Sequence, residues 1–351
     1  MNLDDIRKKI DQIDSQILKL LDSRMELGLK AKKMKKEIED LKREAVVLEK
    51  VRSKARGMLT PDFTEKLYKE VISESKRLQK MDQKLIGFQG EHGAYSEVAS
   101  RVWDDSLIPI PCNEFNEVFK GVNSGLFEFG IVPVENTLGG VVSQVNQLIL
   151  NSELVVVGAV QLNIHHCLMA QPGADHRELR VVYSHSQALE QCHHFLARNK
   201  LEPVPFYDTA GAAKMLAEKS PKAAAAIASV LAAELYDLEI IKENIEDFDT
   251  NKTRFFIFAK SDVLNNGNKC SVLFSTEHKA GTLFRVLQIF AKAKINLTRI
   301  ESIPNRQGSY AFFLDFIGSK KDENIDIALK EAEKITANFR LLGCYREKEG
   351  G

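Results

Sequence analysis

Apolar positions in the first eighty or so residues recur with the period of a helix. Leu3, Ile6, Ile10, Ile13, Ile17, Leu20, Leu21 and Leu27 stripe one face, and nothing breaks the pattern before about residue 38. At ~1.5 Å per residue this helix is roughly 50 Å long. A second helix is expected over 40–56, stopped by Gly57, and a third opens at Thr60-Pro61-Asp62 and runs to about residue 79. So long a helix cannot bury its stripe against two shorter ones, so a partner copy of the chain is expected.

After residue 84 short apolar runs alternate with helical stretches. Strands are expected at 84–88, 129–133, 154–160, 164–169, 181–183, 202–205, 224–227 and 255–259. Helices are expected at 96–102, 114–124, 141–151, 187–198, 210–219 and 229–235. That alternation predicts α/β sheets. The chain should cross into a second lobe near Gly158 and return near Phe248. The lobes are then 84–158 plus 249–262, and 159–248, with a ligand cleft between them. Past the polar linker Asn265-Asn266-Gly267-Asn268 the order is βαββαβ, with strands at 270–275, 297–303, 310–317 and 340–346 and helices at 281–293 and 324–336. This is a ferredoxin-like α+β sandwich. The domains are therefore 1–82, 84–262 and 269–351.

Charge adds little to this outline: Lys plus Arg and Asp plus Glu number 49 each, so no net field favours nucleic acid or membrane. No apolar run is long enough to span a bilayer, and the N-terminus lacks the apolar core of a signal peptide, which predicts a cytoplasmic protein. Five cysteines without a CxxC pair predict reduced thiols and no structural zinc. On a strand His165 and His166 face opposite ways and cannot share an ion, so no metal is expected. Gly90-x-x-Gly93 and Gly139-Gly140 form neither a dinucleotide fingerprint nor a P-loop, and no cofactor is expected.

Polar residues then give the helical segment a chemistry. Arg24 and Lys35 lie eleven residues apart and share a helix face to within about 20°. Asp40, Arg43 and Glu44 follow on the second helix, and Ser75 and Gln79 sit at i, i+4 on the third. Such a set would suit a small dianion that carries a hydroxyl. The runs Ile6-Arg7-Lys8-Lys9-Ile10-Asp11-Gln12-Ile13-Asp14, Ser23-Arg24-Met25-Glu26-Leu27 and Asp40-Leu41-Lys42-Arg43-Glu44 resemble the all-helical chorismate mutases. The resemblance implies an intertwined dimer and substrate contacts at Arg7, Arg24, Lys35, Asp40, Arg43, Glu44, Ser75 and Gln79. Chorismate to prephenate is a pericyclic rearrangement that needs no nucleophile. The protein must hold the reactive conformer and stabilise charge on the breaking ether oxygen. Lys35 and Gln79 would donate to that oxygen, while Arg7 and Arg24 clamp the carboxylates.

In the central segment, polar clusters fall where strands end and helices begin: Gly90-Glu91-His92-Gly93-Ala94-Tyr95-Ser96, Glu135-Asn136-Thr137, Ser184-His185-Ser186-Gln187, Asp208-Thr209-Ala210-Gly211 and Thr253-Arg254-Phe255. Taken singly each is turn or capping chemistry. Together they resemble prephenate dehydratase, in the family's order, on a two-lobed scaffold like that of periplasmic binding proteins. The resemblance makes Thr253 the essential hydroxyl and Asn136, Thr137, Ser184, Gln191, Thr209 and Arg254 substrate contacts. Prephenate loses carbon dioxide and water, and aromatisation drives the step, so a hydrogen-bonding hydroxyl can serve as the acid.

Lys279-Ala280-Gly281-Thr282-Leu283-Phe284 and Arg299-Ile300-Glu301-Ser302-Ile303-Pro304 resemble the two phenylalanine-contact motifs of the ACT domain, with Ile303 where Arg is usual. Gly281, Thr282, Leu283, Glu301 and Ser302 are the implied effector contacts, and residues 269–351 are expected to be removable without loss of basal activity. The combined expectation is a bifunctional enzyme that takes chorismate through prephenate to phenylpyruvate, with feedback by phenylalanine. A silent amino-acid sensor and an arogenate-preferring dehydratase with a purely dimerising helical segment are the competing readings. A sensor has no use for Arg24, Lys35, Glu44 and Gln79 together.

Arg7 precedes Arg24 by seventeen residues, about 100° around the helix and roughly 25 Å along it. An antiparallel partner would carry its own Arg7 to this chain's pocket. Arg7→Ala and Lys35→Ala should each be nearly inactive alone. Unfolded together and refolded, they should recover mutase activity toward about a quarter of the wild-type level, because half the dimers are mixed and each has one intact site. Mixed dimers with background activity would place Arg7 in its own chain's site.

Overall fold

The computed structural model describes residues 3–35, 37–261, 267–277, 279–304 and 310–350, so Asn265 and Asn266 of the expected linker lie outside it. Residues 1–84 and 85–351 form two separate units. The first contains α1 (Leu3–Met34), α2 (Leu41–Lys54) and α3 (Pro61–Lys80). Thr60 caps α3 by accepting from Phe63 N–H, and Pro61 stands in the first turn, where its missing N–H costs nothing. α3 packs on α1 and α2 and buries Val71 and Ile72. Leu3, Ile6, Ile10, Ile13, Ile17 and Leu27 remain exposed along α1, the unburied stripe that the periodicity implied.

The second unit begins with β1 (Leu85–Gln89), α4 (Tyr95–Trp103), β2 (Ile108–Cys112), α5 (Phe115–Ser124), β3 (Phe129–Asn136), β4 (Gly140–Val141), α6 (Ser143–Leu150) and β5 (Val155–Asn163). β5 stays in the first sheet to Asn163, so the chain leaves the first lobe later than the expected Gly158. The second lobe holds β6 (Cys167–Ala170), β7 (Val181–His185), α7 (Ser186–Gln191), α8 (His193–Arg198), β8 (Glu202–Phe206), α9 (Thr209–Lys219), β9 (Ala224–Ala228), α10 (Val230–Tyr236) and β10 (Glu239–Lys242). The chain returns as β11 (Lys252–Ala259), antiparallel to both β3 and β5. One apolar cluster runs from Phe88, Ile131 and Phe255 in the first sheet to Met169 and Ala226 in the second. The two lobes thus share a core at the base of the cleft.

Next come β12 (Lys269–Ser275), α11 (Thr282–Lys292), β13 (Leu297–Pro304), β14 (Tyr310–Ile317), α12 (Glu323–Ile335) and β15 (Ala337–Tyr345). Their sheet order β13-β14-β12-β15 is ferredoxin-like, as expected. The last strand was not expected. β16 (Glu347–Gly350) pairs in parallel with β5 and closes the edge of the first sheet, giving the order β16-β5-β11-β3-β1-β2. Cys270 and Cys344, cross-strand neighbours on β12 and β15, form a disulfide. The expectation of reduced thiols fails for that pair.

Strand alternation on β11 decides how the C-terminal domain docks. Thr253 and Arg254 are neighbours and so point to opposite faces of the sheet. Arg254 lies 5% exposed beneath the C-terminal domain. Its Nε donates to Glu347 at 2.5 Å, Nη1 to Asp315 at 2.5 Å and Glu135 at 3.3 Å, and Nη2 to the Tyr345 hydroxyl at 3.0 Å. Burial alone would weaken the guanidinium's hold on its proton, but Tyr345, Asp315 and Glu347 outweigh it and push the pKa up. Arg299 also reaches Glu135, and Glu301 accepts from Arg299 and from Asn146 of α6. Arg340 Nη2 donates to Ile149 O at 2.6 Å, at the end of α6.

Removing residues 269–351 would therefore not be neutral. It would strip a strand from the first sheet and take Asp315, Tyr345 and Glu347 away from Arg254. Asp315 itself is fully buried, accepting from Arg254 and from Ser271 Oγ. Asp315→Ala should cost this unit about 3 kcal/mol, seen as a lower denaturation midpoint, because it takes the one fully buried carboxylate from a buried guanidinium and leaves the partly exposed Glu347 and Glu135 to meet it. The loss should persist at high salt, since buried pairs are poorly screened. A midpoint equal to wild type would show that the ion cluster is not what holds the domain.

Candidate functional site

The cleft of the second unit is built around the junction of β3 and β11, where Thr253 stands opposite Asn136 in the register. Asn136 ends β3, and the chain turns sharply after it. Its Oδ1 accepts from Leu138 N–H at 3.0 Å and Gly139 N–H at 2.6 Å. Its Nδ2 lies 2.8 Å from Thr253 Oγ1 and 2.8 Å from Asn251 Oδ1. The Thr253 hydroxyl oxygen is thus an acceptor within the protein, which leaves its O–H to donate elsewhere. Asn251, two residues before Thr253 and just ahead of β11, is 1% exposed and donates to Gln191 Oε1 at 3.1 Å.

The other expected contacts divide. Ser184 is buried and donates to Ile227 O at 2.7 Å, so its oxygen can still accept. Thr209 opens α9, whose cap Asp208 accepts from Gly211 N–H at 2.7 Å. Burial raises the Asp208 pKa even though that N–H opposes the shift. Thr137 is committed to backbone: it donates to Thr250 O at 3.0 Å and accepts from Lys252 N–H at 2.9 Å. It clamps the loop that leads into β11. Arg254 was expected to hold a substrate carboxylate, yet it lies on the far face of the sheet with its donors already spent on carboxylates and Tyr345. That expectation is corrected.

The glycine-rich stretch joins the lobes. Gly93, at φ +88°, adopts a left-handed conformation that favours glycine, and a Cβ there would meet Ala232 Cα at 2.6 Å. Ser229 donates to Gly93 O at 2.5 Å. Glu91 of the first lobe accepts from Tyr207 at 2.9 Å and Lys214 at 3.0 Å of the second. Glu97 is fully buried. Burial would raise its pKa, but His92, Arg101 and Gly93 N–H together hold it below the ordinary carboxylate range.

Sequence reasoning gave no site role to Asn251, His166 or Tyr95. Asn251 carried a signal, since it stands two residues before Thr253, immediately ahead of β11. His165 and His166 point to different partners. His165 Nδ1 is 2.7 Å from Glu246, whereas His166 is buried between Tyr95 and Gln191.

In the helical unit, Ser75 and Gln79 are buried together on α3, with Gln79 Nε2 donating to Ser75 Oγ at 3.1 Å. Gly28 of α1 lies against them; a Cβ there would come within 2.7 Å of Ser75 Oγ. Gln79 Oε1 is buried without a protein partner among the described residues. Glu44 accepts both oxygens' worth of contact from Lys76, at 3.1 Å each, a residue not singled out from sequence. Arg24 is half-buried, while Arg7, Lys35 and Arg43 are exposed. Asp40 is exposed and caps α2 by accepting from Arg43 N–H at 2.9 Å, so its local role is capping.

A third feature is a groove of about 360 Å³ lined by Thr276, Gly281, Thr282, Leu283, Phe284 and Phe312 among others. Gly281, at φ +82°, starts α11. Thr282 donates to Glu277 O and Lys279 O, each at 2.9 Å, and closes the loop. Glu301 does not join this groove, because it faces Asn146 and Arg299, and Ser302 is exposed on β13.

Family models match all three segments: chorismate mutase type II at residues 6–80, prephenate dehydratase at 86–263 and ACT domain at 271–334. The chain is 33% identical to a bifunctional chorismate mutase/prephenate dehydratase of Aquifex aeolicus, over 98% of this chain and 97% of that one. It is 38% identical to arogenate dehydratase/prephenate dehydratase 2 of Arabidopsis thaliana, over 74% of this chain and 72% of that one. The structure of prephenate dehydratase with L-Phe from Arthrobacter aurescens is similar at TM-score 0.70 and 28% identity, covering 75% of this chain and 89% of that one. With both catalytic segments and the ACT segment matched in order along nearly the whole chain, this protein belongs to the bifunctional chorismate mutase/prephenate dehydratase family, an isomerase and a lyase in one polypeptide.

Proposed function

We propose that Thr253 is the proton donor of the dehydratase step. One observation carries this: Asn136 donates to Thr253 Oγ1, so the hydroxyl hydrogen is directed away from the Asn136 NH2 and is left to donate elsewhere. In prephenate the ring hydroxyl departs as the carboxylate leaves as carbon dioxide, and the ring becomes aromatic. The electron pair of the breaking C–C bond completes the ring, the C–O bond breaks, and the departing oxygen takes a proton. Because aromatisation supplies the driving force, a neutral hydroxyl held in line is sufficient acid. The same reading assigns Gln191, which accepts from Asn251, and Ser184, whose oxygen can still accept, to the substrate as neutral hydrogen-bonding groups.

In the helical unit the same reading assigns Gln79, with Ser75 beside it, to the ether oxygen and a carboxylate of chorismate. Arg24, Lys35 and Glu44 supply the charged contacts. A second copy of the chain completes that site with Arg7, and the exposed apolar stripe of α1 supports the dimer. Phenylalanine is the effector we assign to the groove at Gly281. A left-handed glycine opening a helix lets an α-carboxylate approach the free N–H groups, and Leu283 and Phe312 offer apolar surface to a ring.

Thr253→Ala should abolish phenylpyruvate formation while chorismate is still consumed, so that prephenate accumulates. Supplying prephenate and arogenate in parallel identifies the acid that is turned over. Wild-type product release from the variant would remove Thr253 from the mechanism.

Gly281→Val should weaken phenylalanine inhibition by about tenfold or more, the range expected for loss of an allosteric coupling. The readout is the half-inhibitory concentration against each protein's own uninhibited rate. Unchanged inhibition would move the effector site away from this groove.

A further inference from the structure

Two backbone amides set the direction of every donor in a buried chain that ends on Thr253. Leu138 and Gly139 N–H donate to Asn136 Oδ1, and a backbone N–H cannot be reversed. The other end of that amide is therefore its NH2 group, which faces Thr253 Oγ1 and Asn251 Oδ1. Asn251 in turn presents its NH2 to Gln191 Oε1. His166 Nε2 lies 2.9 Å from the same Oε1. An amide oxygen needs a donor there, so Nε2 carries the imidazole hydrogen. Nδ1 is then the bare acceptor, and the single Tyr95 hydroxyl hydrogen is shared between it, 2.9 Å away, and His165 O at 2.7 Å. His166 is 2% exposed, and burial holds its pKa below the ordinary range despite Gln191 and Glu246, so the neutral tautomer is the resident one.

We propose that His166 is a positioning residue for the dehydratase reaction, acting through Gln191, Asn251 and Asn136 on the direction in which Thr253 donates. It touches no substrate. Its Nε2–H is the far anchor of a chain whose near anchor is the turn after β3. Without it the Gln191 amide can reverse and set its NH2 against that of Asn251. Asn251 must then reverse too, and Asn136 loses the acceptor that shares its NH2 with Thr253. The chain links a histidine to a threonine 87 residues later across both lobes. The proposal rests on the reading of Thr253 as proton donor, and the test separates the two.

The test uses the full chain with three substitutions at His166 and Thr253→Ala alongside, reading kcat and KM for prephenate, thermal stability, and chorismate consumption in the same samples. The carboxamide nitrogen of Gln reaches the place of Nε2, whereas that of Asn reaches only the place of Nδ1. His166→Gln should keep kcat within about threefold, while His166→Asn and His166→Leu lose about tenfold or more in kcat with a smaller change in KM, as expected for a misplaced catalytic group. If Thr253→Ala keeps its kcat, the reading of Thr253 fails whatever His166 does. If Thr253→Ala is inactive and His166→Leu turns over like wild type, the positioning role is wrong. Should His166→Leu fail to fold, the Gln and Asn variants decide. Equal losses of kcat and stability in both would make His166 a packing residue and overturn the proposal.

Discussion

A guanidinium cannot be taken out of water without carboxylates to meet it, and the fold of the larger unit is arranged around that requirement at Arg254. The anions come from three places: Glu135 on β3, Asp315 on β14 and Glu347 at the start of β16. Asp315 is fully buried, while Glu135 and Glu347 keep some contact with water and complete the set. The ferredoxin-like domain is thereby fastened to the dehydratase sheet by charge as well as by a strand. β16 runs beside β5 directly after Glu347, so the tail that supplies one carboxylate also closes the sheet's edge. Lys269 pairs with Glu347 at 2.7 Å and ties the entry of the domain to its exit.

The same two strands serve both sides. Arg254 and Glu135 are opposite one another in the register and face the ACT domain; Thr253 and Asn136, one residue along, are opposite one another and face the cleft. A movement of either charged residue therefore moves a cleft residue through a single peptide bond. Asn146 adds a second contact, from α6 to Glu301 in the second ACT motif. Glu301 lies outside the groove at Gly281 but on the boundary with the dehydratase. Its place in the fold is that of a link between the two domains.

Much of this architecture was legible in the chain. Period-3.6 stripes located the three helices, Thr60-Pro61 located the start of α3, and the βαββαβ order held. The misses have physical causes. β2 reads Ile-Pro-Ile-Pro-Cys, and its prolines hid it; they are tolerated because it is an edge strand. β16 reads Glu-Lys-Glu-Gly, with no apolar alternation, and is a strand because β5 offers an unpaired edge. Arg254 was misplaced although the rule that separates it from Thr253, strand alternation, was available. The amide chain could not be read from sequence. Asn136, Gln191 and Asn251 are separated by tens of residues, and only the closed fold brings their ends within 3.1 Å.

The chemistry proposed for Thr253 gives a reason for surrounding it with amides. A reaction driven by aromatisation does not need a strong acid; it needs a donor that points one way all the time. Carboxamides do not titrate, so a chain of them keeps its polarity at any physiological pH. Its titratable members lie at the far end. Burial pushes the Tyr95 phenol up and the His166 imidazole down. Protonating His166 would add a hydrogen at Nδ1, facing Tyr95, and leave Nε2–H on Gln191 as before. The end of the chain that can change charge is therefore turned away from Thr253, and the end that meets Thr253 is set by two backbone N–H groups that cannot change at all.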